Sequence, residues 1–132
     1  MFRPVGSETF GNTFTSLPFD QQPLEAWAVI DAVRSAYAAD RRIEWLDYAI
    51  AAWRWYFGDN DRGMPLADMR SGRCQDGLTP RGVNLNCGAE SILSFHLAHY
   101  AMLELRQMVP PEVSLGQDID TDIAHSASHP RH

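Results

Sequence analysis

The chain has 132 residues, 45% of them hydrophobic and 21% charged, which fits one globular domain. Eleven Arg and no Lys stand against 17 Asp plus Glu, a net charge of −6. That balance argues against a nucleic-acid binder, which needs a basic face to displace phosphate counterions, and against a protein held on anionic membranes.

No apolar run reaches the ~18 residues of a membrane-crossing helix. The start, Met1-Phe2-Arg3-Pro4, has no apolar core of a signal peptide. Cys74 and Cys87 are too few for a disulfide scaffold, so a reduced, cytoplasmic protein is expected.

Residues 1–22 carry Pro4, Gly6, Gly11 and Pro18 among scattered Phe2, Phe10, Phe14 and Phe19. They predict an irregular segment whose aromatics pack onto something, an opening suited to the middle of a larger architecture. A helix follows from Pro23 to about Ala39. Pro23 suits a first turn, Glu25 favours its positive end, and Leu24, Trp27, Ile30, Val33, Ala36 and Tyr37 form one stripe. Asp40 is the expected N-cap of a second helix running to about Phe57, stopped by Gly58. Its stripe is Leu46, Ala49, Ile50, Trp53 and Phe57; Trp55 falls on the opposite side, open to a partner helix. The short link predicts an antiparallel hairpin.

Residues 58–88 are Gly- and Asp-rich, and a short β-hairpin is expected within 64–78, turning at Met69-Arg70-Ser71-Gly72. Gly77, Pro80, Gly82 and Gly88 predict irregular chain beyond it. Ala89 to about Met108 is a third helix, apolar enough to be largely buried and ended by Pro110-Pro111. Residues 109–132 are expected to form a mobile tail. The fold class is therefore all-α, with more aromatic surface than three helices cover.

Four stretches carry a resemblance. They are Phe19-Asp20-Gln21-Gln22-Pro23-Leu24-Glu25-Ala26, Phe57-Gly58-Asp59-Asn60-Asp61-Arg62-Gly63, Asp76-Gly77-Leu78, and Asn84-Leu85-Asn86-Cys87-Gly88-Ala89-Glu90-Ser91. In order and spacing, residues 1–108 resemble the C-terminal part of bacterial six-hairpin, (α/α)6-toroid glycosidase-like domains, found alone or fused behind glycosyltransferases. Cys87 stands where that pattern usually has Gln, and His96 and His99 interrupt its plain last helix. A closed toroid has twelve helices, so the resemblance implies a partial toroid: a truncated fragment, or a piece completed by homo-oligomerisation or a glycosyltransferase partner.

The resemblance implies a carbohydrate-active domain, processing glycosides or binding a sugar or glycan, in which polar groups gather where inner helices converge. Paired carboxyl groups perform glycoside hydrolysis, so Asp76 and Glu90 are the first catalytic candidates and Asp61 the third. Asp20, Gln21, Gln22, Asn60, Asn84 and Asn86 are the candidate ligand contacts, since sugar hydroxyls need paired donors and acceptors. The alternatives are a non-catalytic helical interaction module or an inactive truncated fragment, and the isolated chain is expected to lack turnover. No cofactor is implied. His96, His99 and the two Cys fit no zinc spacing, so no metal is expected, and the two His are expected in a core or interface.

Overall fold

The computed structural model describes residues 1–4 and 20–121. They form helix α1 (Pro23–Asp40), helix α2 (Glu44–Trp55), strands β1 (Gly77–Thr79) and β2 (Gly82–Asn84), and helix α3 (Ala89–Met108). The predicted Phe10, Phe14 and Phe19 lie outside the described residues, while Phe2 packs against the core.

Pro23 opens α1, where a missing N–H costs nothing, and Glu25 Oε2 accepts the Gln22 N–H at 3.1 Å. The helix ends at Asp40, because Arg41 turns left-handed (φ 60) and returns its N–H to the Tyr37 carbonyl. Asp40 is therefore the last residue of α1 and not the N-cap of α2. Its Oδ1 instead braces the link, accepting from Arg42 N–H (3.0 Å) and Trp45 Nε1 (2.9 Å). Helix α2 stops at Trp55, short of the expected Phe57. Tyr56 and Phe57 tighten into bonds three residues back, and the Tyr56 carbonyl is taken by Leu66 and Ala67 N–H.

Helix α1 is the shared element, packed along both α2 and α3, while α2 and α3 meet mainly through the aromatic side chains around Trp53. The Tyr56 hydroxyl, just past α2, donates to the Pro23 carbonyl at 2.7 Å, so α1 and α2 form the expected antiparallel hairpin. Helices α1 and α3 run parallel: Arg34 Nε lies 3.6 Å from Glu104 Oε2, and Arg41 Nη1 donates to the Met108 carbonyl at 3.2 Å. The core joins Ile30, Val33 and Tyr37 of α1, Leu46 and Trp53 of α2, and Phe95, Met102 and Leu105 of α3. Trp53 centres it, stacked on Phe95 (centroids 5.7 Å apart) and on His99 (5.6 Å). His99 thus meets the expected core aromatic, whereas His96 is exposed, its Nε2 3.0 Å from the Gly72 carbonyl.

Three further expectations are corrected. Trp55 does not wait for a partner helix; it is wholly buried, its Nε1 donating to Gln21 Oε1 at 3.0 Å. Helix α3 is not buried all round: Leu93, Leu97 and Tyr100, on one stripe, are exposed because only its other side meets α1 and the connecting segments. The hairpin does not turn at Met69-Arg70-Ser71-Gly72, whose flanks meet only at the bridge from Ala67 to Cys74, around a tight turn. It lies at β1–β2, where Pro80-Arg81 makes a two-residue turn and Thr79 Oγ1 bonds the Gly82 carbonyl and the Arg81 N–H.

Residues 109–121 do not trail away. Leu115 and Ile119 are fully buried, residues 117–121 are helical, and the buried Arg106 guanidinium binds this segment to α3. The rest of the expected tail, 122–132, lies outside the described residues. Among the described residues, no helix is long and apolar enough to cross a membrane.

Candidate functional site

The parallel packing of α1 and α3 brings their N-termini side by side. With the β1–β2 hairpin they enclose an open cleft of about 380 Å³. Five predicted residues line it: Asp20 and Gln22 before α1, Asp76 before β1, Asn84 at the end of β2, and Glu90 in the first turn of α3. Thr79 and Ser91 also line it. They were not predicted, although Ser91 follows Glu90 directly; its side chain carries a hydroxyl into a helix N-terminus where orphan N–H groups already gather.

Of the cleft carboxylates, Asp76 is tied into the backbone on both sides. Its Oδ1 accepts the Gly88 N–H, the N-cap of α3, at 2.7 Å, and its own N–H donates to the Asn86 carbonyl at 2.8 Å. Among the described residues no donor meets Oδ2. A Cβ on Gly88 would lie 3.1 Å from Asp76 Oδ1, tighter than ordinary contact, so glycine there lets the carboxylate sit against the backbone. Among the described residues the lining holds three carboxylates and no Arg or His side chain. Two helix N-termini offset part of that negative charge.

The other predicted residues are placed elsewhere. Gln21 is fully buried beneath the cleft: its backbone pairs both ways with Leu78, its Nε2 donates to Asp61 Oδ2 at 2.7 Å, and its Oε1 accepts from Trp55. Asp61, third of the catalytic candidates, is bound bidentately by Arg3 at 2.8 Å, and its side chain is 4% exposed. It pairs charge and does not face the cleft. Asn60 is buried in a turn, its Nδ2 donating to the Trp55 and Met64 carbonyls. Asn86 contributes its backbone carbonyl to Asp76, and its side chain lies outside the lining. Nothing in residue type distinguishes Gln21 from Gln22; the alternation of an extended segment buries one and leaves the other on the surface. Among the described residues, no three His, Cys, Asp or Glu side chains gather so as to hold a metal.

The Arg3 guanidinium, by its hydrogen bonds, holds the Asp61 carboxyl below the usual carboxylate range; burial opposes this and Gln21 adds to it. Asp61 therefore stabilises the fold above its unfolded pKa of about 4, and that contribution is lost as pH falls through the lower folded value. Thermal melts are expected to show a decline in stability below about pH 4. Asp61→Asn should flatten part of that decline, and an unchanged acid limb in the variant would contradict the role of this pair.

No family model matches the chain, and no curated protein matches it either.

Proposed function

We propose that this chain is a carbohydrate-active domain of the six-hairpin glycosidase-like kind, a partial (α/α)6 toroid whose cleft between α1 and α3 binds a sugar or glycan. The observation that carries the proposal is the meeting of Asp20, Gln22, Asp76, Asn84 and Glu90 at the adjacent N-termini of two parallel helices. Hairpin α1–α2 followed by a parallel α3 is the order in which successive inner helices of such a ring recur. The lining is dense in acceptors and amides, as sugar hydroxyls require, and carboxyl groups from two elements are the chemistry of glycoside processing.

A glycan array tests this, with wild type beside Asp76→Asn and Glu90→Gln. Wild type is expected to retain one class of glycan. Each variant should lose about 10–100-fold in affinity, the loss of one charge-assisted hydrogen bond, with an unchanged melting temperature. Retention of no glycan, or variants that bind like wild type, contradicts the proposal.

A second reading, a non-catalytic helical interaction module, is favoured by two open apolar features. One is the row Leu93, Leu97 and Tyr100 on α3; the other is a groove of about 310 Å³ between α1 and α2, edged by Val29, Ala36, Trp45 and Tyr48.

A further inference from the structure

We propose that Cys74 and Cys87 are a dithiol pair that closes to an intramolecular disulfide when the protein meets a small-molecule disulfide oxidant such as oxidised glutathione. The two residues bracket the segment 75–86, which carries Asp76, Thr79 and Asn84 into the cleft. The chain returns on itself there. Counting outward from the Gly77–Asn84 pair sets Cys74 opposite Cys87. The bond from Asp76 N–H to the Asn86 carbonyl, at 2.8 Å, continues the pairing with a one-residue bulge, so the two cysteines lie within one residue of direct opposition. Paired strands lie about 4.5–5.5 Å apart at opposing Cα atoms, and a one-residue offset adds about 3.3 Å along the strand, which leaves the two Cα atoms about 6 Å apart, inside the roughly 4.4–6.8 Å span that a disulfide bridges.

The two thiols differ in the way such a pair needs. Cys87 is exposed, and its thiol donates to the Leu85 carbonyl at 3.9 Å. Cys74 is fully buried, and burial, helped by the nearness of Cys87 and Asp76, pushes its thiol up to about 12. An external oxidant therefore reaches Cys87 first. The Cys87 thiolate attacks one sulfur of oxidised glutathione, forming a mixed disulfide and releasing one glutathione thiolate. Cys74 then gives its proton to solvent and attacks the Cys87 sulfur, releasing the second glutathione thiolate. Two protein thiols are oxidised and one disulfide is reduced to two thiols. The bond ties both ends of the segment 75–86, and it does so whether or not the cleft takes a saccharide.

The full chain, folded and reduced, is incubated with oxidised glutathione, then quenched with acid and mapped by mass spectrometry without reduction. Trypsin cuts after Arg73, Arg81 and Arg106, which separates the two cysteines into different peptides. The expected result is a linked pair of peptides 74–81 and 82–106, a loss of two hydrogens from the intact mass, and full reversal by dithiothreitol. In Cys87→Ser, Cys74 should stay a free thiol under the same treatment, because nothing else carries oxidation to it. Glutathione left on Cys87 beside a reduced Cys74, a disulfide between two chains, or oxidation of Cys74 in Cys87→Ser would each overturn the pairing.

Discussion

Gly77→Ala is expected to cost about 3 kcal/mol, among the largest losses any single methyl could cause here. A Cβ at this position would lie 2.4 Å from the Gln21 carbonyl oxygen, and Gly77 has φ +156. The obstructing atom is backbone, so no rotamer relieves it. The clash falls beside the two bonds that join Gln21 and Leu78, N–H to carbonyl in both directions at 2.9 and 2.8 Å. Pushing β1 away breaks them and loosens a fully buried Gln21, which serves Trp55 and Asp61 at once. It also displaces the adjacent Asp76 from the cleft. Gly63 supplies the comparison. Its φ is +61, but nothing lies within 4 Å of its Cβ position, so Gly63→Ala should cost only about 1 kcal/mol, the strain of a left-handed alanine. Urea unfolding measures both. Equal losses would contradict the close approach of Gly77 to Gln21.

Arg106→Met should cost a similar amount, about 3 kcal/mol, by a different route. Arg106 is 7% exposed, and its guanidinium spends its donors on the segment that follows α3. Nη1 donates to the Val113 carbonyl (2.6 Å) and Asp120 Oδ1 (2.5 Å), and Nη2 to the Pro110 carbonyl (2.7 Å). Asp120 in turn accepts from Ser114 Oγ and Leu115 N–H. Methionine fills the volume but takes this donor from a half-buried carboxylate and from the Val109, Pro110 and Val113 carbonyls. Removing the orphaned charge as well, in Arg106→Met with Asp120→Asn, should restore part of the loss. Hydrogen exchange should locate the damage in residues 109–121. A single variant within about 0.5 kcal/mol of wild type would show that Arg106 merely decorates the surface.

Both residues show where the sequence is legible and where it stops. The three helices are written in local punctuation: Pro23 at a first turn, Gly58 after α2, Pro110-Pro111 after α3. These signals act within a few residues, and the structure follows them at Pro23 and Pro110, while α2 stops at Trp55, three residues before Gly58. Arg106, by contrast, occupies an ordinary helical position, and its burial depends on a turn at 109–113 that carries no strong sequence period. Trp55 looks like an outward residue on a helical wheel, because the wheel records only neighbours on the same helix. Its partner, Gln21, is 34 residues away in an extended segment.

The cleft was legible in part for the same reason. Gln22 and Glu90 sit at helix starts, where polar residues are readily placed, and Asp76 reaches the start of α3 from just before β1. Asp61 and Asn60 share that composition, but the Gly58 turn swings them under the cleft, toward Arg3 and the end of α2. The β-hairpin lies one turn later than the sequence predicts. Met69-Arg70-Ser71-Gly72 does make a turn, yet its flanks pair at a single bridge, while the Pro80-Arg81 turn has Thr79 to hold it and β1 has Gln21 along its other edge.

An amide NMR titration of the folded chain with the glycan class retained on the array tests the saccharide site residue by residue. Shifts are predicted to cluster at Gln22, Gly77, Gly88 and Glu90, around the joined N-termini of α1 and α3, and to vanish in Asp76→Asn. Shifts confined to Leu93, Leu97 and Tyr100, or none at saturating glycan, would contradict a saccharide site in this cleft.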